Sequence, residues 1–147
     1  MAAEGFAFGF GLEPGVEWSA YLQLADERRR GLNLPPDRVP ATFLVADVGG
    51  TIVGRVQIRH ELNEFLERVG GHIGYCVLPA YRRLGHATEI LRQSLIIIRA
   101  LGVDRVLVTC DDDNAGSIGV IEGCGGVLDS VIGATASEQP KRRYWID

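Results

Sequence analysis

Residues 82–87 read RRLGHA and join an apolar stretch, HIGYCVLPAY, to a long helical pattern, TEILRQSLIIIRALG. Two arginines and a glycine at such a junction suit anion chemistry. A helix start exposes up to four unpaired N–H groups and the positive end of its dipole. Gly85 permits a tight turn and a close backbone approach, Ala87 keeps the first helical turn small, and Arg82 and Arg83 add charge. The pattern fits a diphosphate. A basic surface turn has the same composition, and on the residues alone both readings stand. Other phosphate motifs are absent: no Gly-x-x-x-x-Gly-Lys-Ser/Thr occurs, and Gly9-x-Gly11 precedes no βαβ pattern. Cys76, Cys110 and Cys124 form no Cys-x-x-Cys unit, which argues against zinc and dithiol chemistry, so no metal is expected.

The elements that must position this turn follow from periodicity and punctuation. Trp18, Tyr21, Leu22 and Ala25 recur at helical spacing within residues 15–30, and the basic end Arg28-Arg29-Arg30 meets a stop at Gly31. Pro35, Pro36 and Pro40 impose a non-helical connection. ATFLVAD and TIVGRVQIRH around Gly49-Gly50 form a hairpin pattern. ELNEFLERVGG predicts a short helix with Leu62, Phe65, Leu66 and Val69 on one stripe. HIGYCVL is a strand stopped by Pro79, residues 88–100 a helix, and DRVLVTC the next strand. Strand, helix and strand in this order predict a βαβ unit, with its two strands parallel. Residues 114–122 carry a weaker helical pattern, and GGVLDSVI and RRYWI supply two more strands around the loop ATASEQPK. The expected fold class is α/β (mixed α+β), a mostly antiparallel mixed sheet with a central parallel strand pair and helices on both faces.

Composition bounds the function. A chain of 147 residues, 46% hydrophobic, suffices for a single domain spanning residues 1–147. Fifteen Lys+Arg against nineteen Asp+Glu, a net charge of −4, argue against nucleic acid as partner. The opening MAAEGFAFGFGLEPG lacks the pattern of a signal peptide, and Leu95-Ile96-Ile97-Ile98 is far too short for a membrane span. A soluble, cytoplasmic protein with no membrane partner is expected.

The stretch from His72 to Gly126 resembles the core of the GNAT superfamily of N-acetyltransferases, and the matches extend from Val53 to Ile146. Arg82, Gly85 and Ala87 match its pyrophosphate turn, Arg/Gln-x-x-Gly-x-Gly/Ala. Asn114 and Ser117 match its Asn-x-x-Ala/Ser helix start, and Gly125 the glycine that closes that helix. RHELN at 59–63 and GGHIGY at 70–75 are similar to a poorly characterised bacterial branch. The resemblance implies an acyl-CoA N-acyltransferase fold and transfer of acetyl from acetyl-CoA to the amine of a small molecule or peptide. It implies that Val77 and Leu78 bind the pantetheine amides, and that the turn Arg82, Arg83, Leu84, Gly85, His86, Ala87 binds the diphosphate. Asn114 and Ser117 would face the pantetheine arm. A non-catalytic acyl-CoA sensor of the same fold is the alternative. Homodimers are common in that family, and the YWI strand is compatible with one.

One position departs from the family. Where many members carry a tyrosine that protonates the departing thiolate stands Ile121, so the proton must come from Ser117, Tyr75 or Tyr144, or from water. An amine must also be deprotonated before it attacks, and Glu61, Glu64 and Glu67 lie nearby in sequence, with Glu61 and Glu64 spaced to share a helix face. Glu61 beside His60 is the expected base and Tyr144 the expected acid. His72 reads equally as a satisfied buried histidine, and His86 as added charge in the turn. The resemblance also implies an acceptor pocket built by residues 11–31 and 133–144, whose acidic residues would suit a cationic amine.

Overall fold

The computed structural model describes residues 15–133 and 139–147. Gly9, Gly11 and the loop residues 134–138 lie outside them. Helix α1 (Trp18–Arg30) ends as its sequence asks: Gly31 takes φ +72°, and the N–H groups of Gly31 and Leu32 return to the carbonyls of Arg28 and Glu27. Strands β1 (Ala41–Val48) and β2 (Thr51–Arg59) form the expected antiparallel hairpin around Gly49-Gly50, where Asp47 accepts a hydrogen bond from the Gly50 N–H at 2.7 Å. Strand β3 (Ile73–Val77) lies on the other side of β2, also antiparallel. A second three-stranded antiparallel sheet has the order β4 (Val106–Asp111), β6 (Lys141–Ile146), β5 (Val127–Ile132).

Between β2 and β3 the helix α2 (Glu64–Arg68) has only five residues. Asn63 caps it, its side chain accepting from the Leu66 N–H at 2.9 Å. The expected stripe is reduced accordingly, with Leu66 buried and Phe65 exposed. Helix α3 (His86–Ala100) begins two residues earlier than the sequence suggests and packs Ile90, Leu91, Leu95 and Ile98 beneath β2 and β3. Helix α4 (Ala115–Gly123) follows β4 and buries Ile121 in the same core as Tyr144 and Ile146.

The anticipated parallel pair is β3 and β4, and its form is the main architectural finding. They share no ladder. The chain just before β3 touches β4 in one antiparallel bridge, Gly71 to Val108, in place of the parallel pairing expected, and a cavity opens between Ile73–Tyr75 and Thr109–Asp111 beyond it. His72 closes the junction twice: its N–H donates to the Leu107 carbonyl at 2.7 Å, and its Nδ1 accepts from the Leu107 N–H at 2.9 Å. Gly71 makes the close approach possible, because a Cβ there would sit 2.4 Å from the Leu107 carbonyl oxygen. The fold is therefore two antiparallel half-sheets hinged at residues 71–72 and open at the other end.

Candidate active site

The opening is where unpaired backbone collects. Arg59 N–H bonds to the His72 carbonyl at 2.7 Å and Leu78 N–H to the Val53 carbonyl at 2.8 Å, which fixes the phase of β3 against β2. By the alternation of an antiparallel ladder, Ile73, Tyr75 and Val77 then turn their backbone groups away from β2, toward the gap. An extended ligand could pair with that edge as an added strand. Leu78, expected to bind such a ligand, has its N–H committed to Val53. Val77 keeps its N–H toward the gap, while its carbonyl accepts from Arg82 Nε at 3.1 Å.

The gap leads to the turn. A cavity of about 670 Å³ runs from Tyr75 and Val77 past Asn114 and Ser117 to Arg82, Arg83, Gly85, His86 and Ala87. Arg83 at φ +63° and Gly85 at φ +86° lie in the left-handed region, so the backbone curls around a concavity. The first helical bond of α3 runs from Glu89 N–H to the Gly85 carbonyl, which puts the amides of His86, Ala87 and Thr88 ahead of it. A Cβ built on Gly85 would meet nothing within 4 Å, so the site has room for an anion where other turns have side chains. Leu84 points elsewhere and is exposed. Asn114 is the N-cap of α4: its Oδ1 accepts from the Ser117 N–H at 3.1 Å, which leaves its amide nitrogen as the donor for a ligand.

On the far side of Tyr75 a second cavity, about 430 Å³, opens between the sheets. Tyr75, Asn114 and Ser117 line both cavities. The Tyr75 hydroxyl oxygen is buried, with no hydrogen-bond partner within bonding geometry among the described residues, and Ser117 is the hydroxyl that bears on it. Burial pushes its pKa up to about 12, against a smaller pull from Ser117.

Residues 12–125 match the Acetyltransferase (GNAT) family. The chain belongs to that family. Among curated proteins, none matches the sequence. Solved structures share the GNAT fold at low identity. The yncA protein of Salmonella typhimurium, solved with its cofactor acetyl-CoA, superposes with a TM-score of 0.64 at 14% identity, over 89% of this chain and 73% of that one. A spermidine N-acetyltransferase from Vibrio cholerae in complex with CoA and spermine gives 0.62 at 16% identity, over 92% and 78%. A ribosomal-protein-alanine N-acetyltransferase from Brucella melitensis gives 0.62 at 17% identity, over 88% and 77%.

In this GNAT chain the residues expected to move protons are not together. Glu61 stands in the bend after β2, exposed and away from both cavities; Asn63 starts α2 beyond it, so Glu61 and Glu64 share no helix face. Glu64 and Glu67 are likewise exposed. Tyr144 is wholly buried in the core and donates its hydroxyl to Glu122 at 2.9 Å. Ile121 is wholly buried too, so the usual tyrosine position is core packing here. His60 hydrogen-bonds Thr42 at 2.7 Å. His72 is the satisfied buried histidine: burial, and then Arg59, lower its pKa to about 4, and Nδ1 as acceptor puts the ring proton on Nε2.

Two groups at the second cavity escaped the sequence reading. Asp111, at the end of β4, is its single carboxylate among the described residues, and it pairs with Lys141 of β6. Arg59, at the end of β2, also lines it. Of the segments expected to build the acceptor pocket, residues 11–31 and 133–144, only Lys141 lines this cavity, whose described lining holds two cations and one carboxylate; residues 11–14 and 134–138 lie outside the described residues. The β4 and β6 segments that bring Asp111 and Lys141 together are thirty residues apart, so no local pattern announces the pair. No three of His, Cys, Asp and Glu converge as metal ligands among the described residues, and no described helix is long and apolar enough to cross a membrane.

Proposed function

We propose that this chain transfers an acetyl group from acetyl-CoA to a primary amine. The observation that carries it is the continuity of one path: the free β3 edge at Tyr75 and Val77, then Asn114, then the left-handed turn at Gly85 and the N-terminus of α3. Each part suits one part of the cofactor. The β3 edge fits the pantetheine amides, the turn amides with Arg82 and Arg83 fit the diphosphate, and the Asn114 amide nitrogen reaches the arm between them. Neighbouring structures of the same fold hold acetyl-CoA or CoA, which supports the assignment.

The thioester then lies at Tyr75, with the second cavity for the amine. The amine nitrogen forms a bond to the thioester carbon, the carbon–sulfur bond breaks, and the sulfur leaves with the electron pair. The Val77 N–H faces the gap where the carbonyl oxygen gains charge. The Tyr75 hydroxyl, a buried donor without an acceptor, hydrogen-bonds the departing sulfur. Its pKa of about 12 decides the form of that help. Full transfer to a thiolate of pKa about 8.5 is uphill, so Tyr75 stabilises the charge and water protonates the sulfur afterwards. Asp111 would accept the amine's proton, a reading supported by its place in the lining of the second cavity, which Glu61 does not line.

Calorimetry tests the cofactor half of this reading. Acetyl-CoA should bind the parent protein with a micromolar dissociation constant, and Gly85→Val should weaken it at least about tenfold, through loss of the φ +86° turn. An unchanged affinity in the variant places the diphosphate elsewhere.

A further inference from the structure

The second cavity raises a question that acetyl transfer by itself does not answer, because its charge is wrong for a polycation. Arg59 lines it beside Gly74 and Tyr75. Its guanidinium is half-buried and bonds two backbone carbonyls through Nη1, Gly70 at 2.9 Å and Gly71 at 3.0 Å. Nη2 makes one long contact of 3.4 Å to the Gln57 side chain. A guanidinium carries five N–H donors, so donors on Nε and Nη2 are left over. No carboxylate lies within ion-pair distance of Arg59 among the described residues. The charged groups that bear on it are Arg38 and His72, the first a cation and the second neutral.

An uncompensated, partly buried cation is costly unless something neutralises it. We infer that the acceptor amine carries an anionic group, a carboxylate or a phosphate, which Arg59 receives while Asp111 holds the amine. The inference rests on the acetyl-transfer reading and adds the acceptor's class. The cavity fits both ends of such a molecule. Asn114 lies at the junction with the thioester site and Asp111 next to it, its carbonyl accepting from the Asn114 N–H at 3.1 Å, while Arg59 lies beside Gly70 and Gly71, and Phe65 and Val69 give apolar surface for the carbons between. Lys141 already neutralises part of the Asp111 charge, so a polyamine would meet a lining that is net positive among the described residues. A zwitterionic acceptor leaves each charge paired, with Arg59 positioned for a forked contact to two oxygens.

The test compares acceptors on the protein loaded with acetyl-CoA: ω-amino acids of increasing length, the matching amines without the carboxylate, an aminoalkyl phosphate, and spermidine. The parent should prefer the anionic acceptors in kcat/KM by on the order of 10- to 100-fold, the worth of one desolvated charge-assisted contact. Carboxylate over phosphate, or the reverse, then names the group. Arg59→Met should bring that ratio toward one and Arg59→Lys should keep part of it, both with acetyl-CoA affinity unchanged. Because Arg59 also holds the Gly70 and Gly71 carbonyls, the ratio is the reading to trust, since general loosening lowers turnover of all acceptors alike. Should the methionine variant fail to fold, the parent's ratio and the lysine variant decide. Spermidine or the amines without the carboxylate matching the acceptors that carry one would overturn the inference while leaving acetyl transfer intact. Failure of acetyl-CoA to bind would overturn both.

Discussion

Removing the Tyr75 hydroxyl should make the protein more stable and the enzyme slower, a combination that few substitutions give. Tyr75 lines both cavities, and its hydroxyl oxygen is buried with no hydrogen-bond partner among the described residues. A polar atom in that state costs about 1–3 kcal/mol, and Tyr75→Phe removes it without changing the ring. For a domain of this size each kcal/mol moves Tm by about 2–4 °C, so the variant should melt several degrees higher. Activity should move the other way. A preorganised donor aimed at developing charge is worth about 10²–10³ in kcat, and the loss should be similar at every pH from 6 to 9, because a hydroxyl held near pKa 12 does not titrate there. The assays are thermal melting without ligand and the pH profile of kcat with one good amine. A variant that melts lower, with unchanged kcat, would mean that Ser117 satisfies the hydroxyl and that Tyr75 is only part of the packing.

Three further outcomes follow from the hinge and the helix start. Gly71→Ala places a Cβ 2.4 Å from the Leu107 oxygen and should cost about 2–4 kcal/mol in denaturant unfolding; a cost under about 0.5 would mean the half-sheets are not held there. The folded-state pKa of His72, about 4, lies below its ordinary value, so its stabilisation is whole above about pH 6.5 and disappears as pH falls toward 4. That loss, roughly 3 kcal/mol, should shrink in His72→Asn, which keeps an acceptor for the Leu107 N–H but cannot titrate, and an unaltered pH dependence places the acid lability elsewhere. Asn114→Asp keeps the cap oxygen and loses the amide donor, so coenzyme A should bind about 5- to 100-fold more weakly while Tm holds and adenosine 3′,5′-diphosphate binds as before; equal losses for both ligands would remove Asn114 from the pantetheine arm.

What the sequence made legible is what neighbours in the chain decide together. RRLGHA, the stop at Gly31 and the Gly49-Gly50 hairpin each act within a few residues, and each forms as expected. Asn114 and Ser117 meet the gap because a three-residue spacing is a helix-capping distance. A similar signal went unread at Asn63, whose cap cuts the pattern ELNEFLER between Glu61 and Glu64 and removes Glu61 from the helix. The remaining misses are tertiary. Tyr75 and Tyr144 look alike along the chain, both one position in from an apolar strand residue. Only the pairing of strands turns one to the junction and the other to Glu122. The half-open β3–β4 pair depends on His72 meeting Leu107, thirty-five residues away, and the Arg59 charge is left over because Gly70 and Gly71 offer carbonyls and no carboxylate comes near among the described residues. Periodicity cannot show where charges separated that far in sequence fail to cancel.

Acetyl transfer at Tyr75 is tested most directly by following both products at once. Parent protein and Tyr75→Phe are incubated with acetyl-CoA and the acceptor panel, with free thiol read continuously and each acceptor weighed by mass spectrometry. The parent should release one thiol for each acetylated amine formed, and the variant should do so about 10²-fold more slowly with the same stoichiometry. Acetyl-CoA that binds and stays intact with every amine, or thiol released with no acetylated amine, would contradict the assignment.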